Sequence, residues 1–330
     1  MKKVLGGLIG ALFLTLSSIT ANAADKLTLQ LQWVTQAQFA GYYVAKDKGY
    51  YADEGLDVTI KPGGPDIAPP QVLAGGGADL MLNWMPSALA AREKGLPLVN
   101  IAQPFKSSGM MLTCRKDMGV NSTADLKGKT LGVWFYGNEY PFLSWMSRLG
   151  LKTDGSANGV TVLRQGWGVE PLTEGQAACV STMSYNEYWV VRDAGYSPEQ
   201  LTVFKYQSEG AATLEDGLYV NEKNLSDAAF KDKMVRFVRA SMKGWKYAEA
   251  NPKEAAMIIL DNDDAGVQTE KHQVRMMGEI AKLTAGSNGS LDPADYERTV
   301  KVLMSGDSDP VITKKPSGAW TNEITNAALN

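Results

Sequence analysis

The sequence contains a single histidine, His272, among 330 residues. A Ser-His-Asp triad or a multi-histidine metal site would have to be built around that one ring. Its surroundings, TEKHQVRMM, have helical spacing and predict a solvated surface residue. The shortage of histidine argues against both kinds of site, and we predict no catalytic residue, no metal site and no cofactor.

Cysteine is equally scarce, since only Cys114 and Cys179 are present and they do not form a CxxC motif. Exported proteins tend to pair their cysteines, but pairing cannot be deduced from a sequence alone. Two readings therefore stay open: a disulfide, or two thiols buried within strands.

The chain also lacks a basic stripe and, beyond its first residues, a long apolar run. It carries 33 basic and 36 acidic residues, a formal net charge of −3. Nucleic acids and anionic membrane surfaces attract concentrated positive charge, so neither is predicted as a partner. A membrane-spanning helix needs about 18 or more apolar residues in succession. We therefore expect a soluble mature chain.

The first 23 residues have the composition of a secretory signal peptide. Lys2 and Lys3 form a basic start, Val4–Leu16 is apolar apart from small residues and Thr15, and Ala21–Ala23 has the small-x-small pattern of a cleavage site. This predicts export to the periplasm.

Strand and helix patterns alternate along the mature chain. KLTLQLQW (26–33) alternates apolar and polar positions, AQFAGYYVAKDKG (37–49) has helical spacing, and LDVTIKPGG (56–64) is strand-like again. A strand, helix and strand at this spacing form a βαβ unit with a parallel strand pair. ADLMLNW (78–84) and TLGVWF (130–135) are further strands followed by helices. The pattern predicts an α/β protein with two lobes.

Rings and amides cluster where the predicted strands end. Open α/β sheets bind ligands at the carboxyl ends of their strands, which are here Gln32–Phe39, Asn83–Ser87, Tyr136–Tyr140 and Ser184–Trp189. Four junctions of the same chemistry indicate one cleft. We predict that it binds its ligand through Trp33, Gln36, Gln38, Asn83, Trp84, Tyr136, Asn138, Glu139, Tyr185, Asn186 and Glu187.

Some of these residues have ordinary structural explanations. Ser184 and Glu187 have the spacing of a capping box, which would by itself explain the carboxylate. Trp33 and Trp84 lie just past strand ends, where a pocket position is more natural than a core position. Four further tryptophans are predicted to be packing residues: Trp167, Trp189, Trp245 and Trp320.

Four longer stretches show a familiar pattern: LQWVTQAQFAGYYVAKDKGYYADEGLDVTI, GKTLGVWFYGNEYPF, STMSYNEYW and ATLEDGLYVNE. Through them, and over essentially the whole mature chain, the sequence resembles periplasmic solute-binding proteins of ABC importers, in the group that contains sulfonate receptors and thiamine-pyrimidine synthases. The resemblance implies a type II periplasmic-binding-protein fold. In this fold two parallel or mixed sheet lobes are joined by two crossing segments and close by hinge motion.

The same resemblance implies the lobe boundaries. By motif the crossings fall near Ser108–Leu112 and Gly217–Val220. After a signal peptide at 1–23, lobe one would comprise 24–109 plus 219–330, and lobe two 110–218.

Receptors of this group for pyrimidine precursors of thiamine sandwich a ring between aromatics and hold its polar edge with amides and a carboxylate. That arrangement is carried by Trp33, Gln38, Asn138, Glu139, Tyr185, Asn186 and Glu187. The function implied is non-catalytic capture of a small planar nitrogen heterocycle by a monomer. The heterocycle would be a thiamine pyrimidine precursor or a riboflavin-like or purine-like relative, delivered to an ABC permease in the inner membrane.

One departure from the family pattern bears on the ligand. Thiamine-precursor receptors often carry a histidine in the segment occupied by Gln36–Gly41, and this chain has none. The same resemblance also leaves two alternative functions: a thiamine-pyrimidine synthase, and a receptor for sulfonates or other organic anions. The synthases consume their own histidine and a lysine-bound pyridoxal phosphate beside a cysteine-rich run, which is also missing. A receptor for sulfonates or other organic anions would need arginine in the cleft, and we place Arg115, Arg164 and Arg192 away from the strand-end junctions.

Overall fold

A computed structural model of the protein describes residues 23–305 and 310–330. The predicted signal peptide, 1–23, lies outside the described residues except for Ala23. Within the described range, no helix combines the length and the apolar character that crossing a membrane demands.

The first sheet has five strands in the order β2-β1-β3-β10-β4. β1 pairs in parallel with β2 and β3, whereas β10 runs antiparallel to β3 and β4. The strands are β1 (Asp25–Gln30), β2 (Leu56–Lys61), β3 (Leu80–Asn83), β4 (Leu98–Ala102) and β10 (Gly217–Asn221).

The second sheet repeats this plan in the order β7-β6-β8-β5-β9. As β10 does in the first sheet, β5 lies between two strands, β8 and β9, and runs antiparallel to both. The strands are β5 (Met110–Arg115), β6 (Thr130–Val133), β7 (Thr161–Arg164), β8 (Cys179–Met183) and β9 (Leu201–Lys205). The predicted α/β class with two mixed sheets is confirmed.

Twelve α-helices are found in the described residues. Proline is the first or second residue of six of them, where its missing N–H costs no helix hydrogen bond. The helices are α1 (Ala40–Asp47), α2 (Tyr50–Asp53), α3 (Pro69–Ala74), α4 (Met85–Glu93), α5 (Tyr140–Arg148), α6 (Glu170–Thr173), α7 (Glu187–Asp193), α8 (Ala228–Ala250), α9 (Pro252–Asp261), α10 (Glu270–Thr284), α11 (Pro293–Leu303) and α12 (Glu323–Leu329).

We call the first sheet with its helices lobe one and the second sheet with its helices lobe two. α1 packs against α8 and α9, and α10 packs on α8 and α9, so these helices belong to lobe one. α7 packs on β8 in lobe two. The chain leaves the first sheet after β4 and returns to it at β10. The residue boundaries implied by the resemblance stay a prediction.

A disulfide between Cys114 and Cys179 decides the question that the sequence left open. The two residues face each other in the antiparallel pair of β5 and β8. They are 65 positions apart in sequence, and the bond therefore closes a long loop within lobe two.

The contact between α1 and α8 depends on two glycines. A Cβ on Gly41 would lie 2.2 Å from the ring of Trp245, and a Cβ on Gly244 would lie 2.0 Å from the Gly41 carbonyl oxygen. The two helices can therefore approach this closely only because neither residue has a side chain.

Candidate functional site

A narrow cavity lies between the two lobes. Its walls come from the loops that leave β1, β3, β6 and β8, so that residues distant in sequence meet at the carboxyl ends of four strands. Its free volume is about 20 Å³, which is room for about one water molecule. A ring-sized ligand therefore enters only when the lobes move apart. The lining residues are Gln32, Trp33, Gln36, Gln38, Trp84, Trp134, Asn138, Met183, Tyr185 and Glu187.

Aromatic side chains form much of the wall, and both lobes contribute them. Trp33 of lobe one meets Trp134 of lobe two edge to face, with ring centroids 6.0 Å apart. Trp84 and Tyr185 are buried, and the indole of Trp84 lies close enough to the Asp216 carboxylate to lower the pKa of that acid. The Tyr185 hydroxyl has no hydrogen-bond partner within the described residues. Buried polar atoms of this kind usually have partners, so the Tyr185 hydroxyl is a candidate for a ligand contact.

Amide side chains form a hydrogen-bonded chain that runs from the cavity to its rim. Gln32 Nε2 donates to Asp216 at 2.6 Å, and Gln38 Nε2 donates to the same carboxylate at 2.8 and 3.0 Å. Gln36 Nε2 donates to Gln38 Oε1 at 2.6 Å, and Asn186 Nδ2 donates to Gln36 Oε1 at 3.1 Å. Because Asn186 follows β8 and Gln36 follows β1, the last bond joins the lobes.

Glu187 is the first residue of α7 and lies buried at the cavity wall. Its carboxylate accepts hydrogen bonds from the Met183 N–H at 2.9 Å and from Asn186 Nδ2 at 2.8 Å. Burial raises the pKa of Glu187 to about 7, although the bond from Met183 opposes the shift. The predicted capping box is wrong, because the N–H of Ser184 donates instead to the Gly109 carbonyl.

Two buried acids beside the cavity were not among the predicted site residues. Asp216 is 1% exposed, and its φ of +49° is a left-handed conformation that residues other than glycine seldom adopt. Burial raises the pKa of Asp216 to about 7 and that of Glu215 to about 8, against hydrogen bonds from Gln38 and Ser108 respectively. The signal available in the sequence was the run LEDG, where two acids stand between apolar residues and a glycine.

Seven of the eleven predicted site residues line the cavity, and their roles as ligand contacts remain a prediction: Trp33, Gln36, Gln38, Trp84, Asn138, Tyr185 and Glu187. Asn186 lies at the rim, connected to the cavity by its hydrogen bond to Gln36. Asn83 is buried behind the wall, where its Nδ2 donates to Ser87 Oγ at 3.1 Å. Three lining residues were missed: Gln32, Trp134 and Met183.

The other two predicted residues, Tyr136 and Glu139, line a neighbouring groove. Glu139 accepts a hydrogen bond from the Gly137 N–H at 2.7 Å and so holds its own loop. Arg164 ends β7, donates to Asp66 at 2.7 Å and lies over the Tyr136 ring at 5.2 Å. Arg164 therefore stands at a strand end, contrary to our interpretation, but it lines the groove rather than the cavity and is paired with an acid.

The prediction of a solvated surface position for His272 is wrong. The side chain is half-buried on α10, and its Nε2 lies 2.7 Å from Asn186 Oδ1. Since the Asn186 Nδ2 group already donates to Gln36 and Glu187, its oxygen is the acceptor and His272 carries a proton on Nε2. Burial lowers the pKa of His272. The single histidine thus joins α10 of lobe one to lobe two.

The tryptophans predicted to pack differ in their surroundings. Trp245 is buried beneath α1, as predicted, and Trp320 packs against Tyr296. Trp189 is half-buried beneath Arg275, whose guanidinium lies 4.8 Å from the ring. Trp167 is 53% exposed near the cavity rim, so its assignment as a packing residue is wrong.

Several known proteins are similar to this chain. A formylaminopyrimidine-binding protein of Halalkalibacterium halodurans is 26% identical over 97% of this chain and 99% of its own length. A 4-amino-5-hydroxymethyl-2-methylpyrimidine phosphate synthase of Saccharomyces cerevisiae is 24% identical over 72% of each chain. Among solved structures, the periplasmic sulfonate-binding protein SsuA of a putative sulfonate ABC transporter from Methylobacillus flagellatus superposes with a TM-score of 0.62, at 14% identity, over 94% of this chain and 95% of its own.

The likeness to the sulfonate-binding protein concerns the fold, which is that of the periplasmic binding proteins. Family membership rests on the sequence itself. Residues 36–255 match the family described as NMT1/THI5 like, and the chain therefore belongs to that family.

Proposed function

We propose that this chain is the extracytoplasmic substrate-binding protein of an ABC importer and captures a small planar nitrogen heterocycle of the thiamine-pyrimidine class without transforming it. One observation carries the proposal. The cavity between the lobes has aromatic walls, and among the described residues that line it the one acid or base is Glu187. The similarity to a formylaminopyrimidine-binding protein over nearly the whole chain supports the same class of ligand.

Such a cavity suits a flat ring that carries hydrogen-bond donors. Stacking or edge contacts with Trp33, Trp134 or Trp84 contribute about 0.5–1.5 kcal/mol each beyond burial. In its ionised form the Glu187 carboxylate accepts charge-assisted hydrogen bonds from amino or ring N–H groups, which are stronger than neutral ones, and such donors on a ligand favour that ionised form. A ligand in contact with both lobes favours the closed state by its differential affinity for that state.

A sulfonate or another organic anion fits this cavity poorly. Anions are bound by arginine, lysine or converging N–H donors, whereas an anion here would face the Glu187 carboxylate. Arg164 lies in the neighbouring groove and is already bonded to Asp66.

Synthesis of the pyrimidine is the other alternative, because synthases occur among the relatives. The resemblance connects that reaction with a lysine-bound pyridoxal phosphate. No lysine is among the ten lining residues of the cavity. Capture without turnover therefore agrees better with the residues present.

The rest of the proposal concerns place and partners. Export through the signal peptide predicted at 1–23 would release a monomer into the periplasm, where the closed form presents both lobes to an ABC permease of the inner membrane. The similarity of the fold to that of a periplasmic binding protein supports this setting.

A thermal-shift screen followed by calorimetry tests the proposal. The panel is 4-amino-5-hydroxymethyl-2-methylpyrimidine, riboflavin, adenine and an alkanesulfonate. A ligand at a hundred times its Kd adds about 2.7 kcal/mol to the free energy of unfolding, so a large rise in Tm is expected with the pyrimidine and none with the sulfonate. Stabilisation by the sulfonate alone, or conversion of the pyrimidine by the purified protein, would overturn the proposal.

A pair of tryptophan variants locates the binding site. Trp33→Ala removes an aromatic wall, and we expect the affinity for the pyrimidine to fall about ten- to a hundred-fold. Trp320→Ala is the matched control, because Trp320 packs against Tyr296 away from the cavity. Equal losses in the two variants would show that the cavity is not the site.

A further inference from the structure

Asp216 determines how two cavity amides are oriented. An ionised carboxylate can only accept hydrogen bonds. The amide nitrogens of Gln32 and Gln38 both lie within 3.0 Å of this carboxylate. Both amides must therefore turn their NH2 groups towards Asp216 and their carbonyl oxygens away from it.

The orientation then passes along the chain of amides. Gln38 Oε1 accepts a hydrogen bond from Gln36, Gln36 Oε1 accepts one from Asn186, and Asn186 Oδ1 accepts one from His272. Every carbonyl oxygen along this branch has its donor.

Gln32 differs from the other amides. Its NH2 group is bound to Asp216, but its Oε1 has no hydrogen-bond partner within the described residues. The side chain lines the cavity and the residue is 8% exposed. A buried acceptor without a donor is unfavourable and calls for an explanation. A donor on a bound ligand would supply one.

We propose that Gln32 is a ligand-binding residue whose Oε1 accepts a hydrogen bond from an amino or ring N–H group of the ligand, and that Asp216 is the positioning residue that fixes this polarity. The inference rests on the proposed capture of a nitrogen heterocycle. It adds that the edge of the ligand next to Gln32 must carry a donor.

This polarity makes the site selective between two otherwise similar rings. A 4-aminopyrimidine presents an NH2 donor where its 4-oxo counterpart presents a carbonyl oxygen. The oxo compound would place its oxygen against Gln32 Oε1 and leave both without a donor. A site with a buried acceptor binds a ligand that presents a donor there and rejects one that presents an acceptor, because the two acceptors would remain unpaired. Asp216 prevents Gln32 from turning over to accommodate the oxo ring.

The test compares the Kd values of 4-amino-5-hydroxymethyl-2-methylpyrimidine and its 4-oxo counterpart, measured by calorimetry at pH 8, above the pKa of about 7 for Asp216. We expect the wild-type protein to prefer the amino compound about ten- to a hundred-fold. In Asp216→Asn the new amide can donate as well as accept, so Gln32 can turn over. The preference should then fall below about three-fold. Asparagine tolerates a positive φ better than most residues, which makes this exchange mild for the backbone.

Glu215→Gln is the matched control. It makes the same chemical change at the adjacent buried acid, which accepts hydrogen bonds from Ser108 and the Gly109 N–H rather than from the cavity glutamines. The preference should be unchanged in this variant. Should Asp216→Asn fail to fold, Gln32→Met removes the acceptor at similar size and is expected to abolish the preference as well.

The outcomes separate the two proposals. If the wild-type protein binds both rings equally, or if Asp216→Asn or Gln32→Met keeps the full preference, the role of Gln32 is refuted while capture of a heterocycle stands. If the preference falls equally in Glu215→Gln, Asp216 has no specific role. If neither ring binds to the wild-type protein, the proposed function fails and this inference fails with it.

Discussion

Lobe one and lobe two are built on sheets of the same strand plan but are stabilised by different means. Lobe one has long helices, of which α8 spans 23 residues, and packs α1 against α8 through two glycines. Lobe two has helices of nine residues or fewer and a disulfide between adjacent strands. Small units bury a smaller fraction of their surface than large ones do. We therefore expect the disulfide to supply a larger share of the stability of lobe two.

The largest expected effect comes from breaking the disulfide. Replacing Cys114 and Cys179 by serine opens a loop of about 65 residues and should cost lobe two about 4 kcal/mol. Amide hydrogen exchange should show β8 losing protection while β3 of lobe one keeps it. A reductant should reproduce the effect in the wild-type protein and change nothing in the double variant. Equal loss of protection in both lobes would contradict this difference between them.

The segment between the lobes carries the next largest effect, because Glu215 is buried there. Burial raises its pKa to about 8 in the folded chain, against an ordinary value near 4.3 in the unfolded chain. The folded state therefore binds the proton more tightly, and stability falls as pH rises from about 5 to 8. Those pKa values correspond to a loss of about 3 kcal/mol.

Urea unfolding at pH 5 and pH 8 measures this loss, with Glu215→Gln as the comparison. The variant has no proton to lose at this position and should show a decrease smaller by about 3 kcal/mol. Glu187 and Asp216, whose pKa values are also raised by burial, should leave a residual decrease in both proteins. Identical pH dependence of the two proteins would mean that Glu215 ionises normally.

Lobe one is tested by the glycine contact between its helices. Gly244→Ala would place a Cβ 2.0 Å from the Gly41 carbonyl oxygen, and forcing the helices apart should cost about 2 kcal/mol. Gly278→Ala on α10 is the matched control, because its Cβ would have no neighbour within 4 Å. That variant should gain about 0.5–1 kcal/mol through helix propensity. Urea midpoints moving in the same direction for both would refute the packing explanation.

The type of each element that we named was predictable from sequence, whereas the ends of the strands were not, and β4, β7 and β9 were not predicted at all. The strand pattern predicted through Trp33 ends at Gln30, and the pattern predicted through Phe135 ends at Val133. Trp134 was consequently assigned to a strand, and Gln32, although it begins a predicted strand-end junction, was not chosen as a site residue; both line the cavity. Residues that face a buried cavity are as hidden from water as strand residues, so periodicity alone cannot separate the two.

Contacts that depend on how the lobes meet could not be predicted from the sequence, for a different reason. His272 and Asn186 are 86 positions apart, and Gln38 and Asp216 are 178 apart. No local pattern connects such pairs, and the helical surroundings of His272 are equally compatible with a solvated face. The motif resemblance brought Asn186 into the site but said nothing of its histidine partner.

The smallest expected effect concerns the two rims of the cleft, which differ as the lobes do. At one rim His272 is hydrogen-bonded to Asn186 and Arg275 to Asp193; His272, Asn186 and Arg275 are partly buried, whereas Asp193 is exposed. At the other, the pair of Arg164 and Asp66 has side chains that are 55% and 79% exposed. Hydrogen bonds at the first rim should therefore favour closure more than the exposed ion pair does.

His272→Ala should accordingly weaken ligand binding about five-fold, equivalent to about 1 kcal/mol, because the closed state loses one bond between the lobes. Small-angle scattering of the ligand-free protein should show a larger radius of gyration. Arg164→Ala is the control at the opposite rim and should change affinity less than two-fold, since exposed ion pairs contribute little and are screened by salt. A larger loss in Arg164→Ala than in His272→Ala would reverse the assignment of the rim that holds the lobes closed. His272→Gln, which keeps an N–H donor at similar reach, should recover part of the affinity only if the bond to Asn186 is the cause.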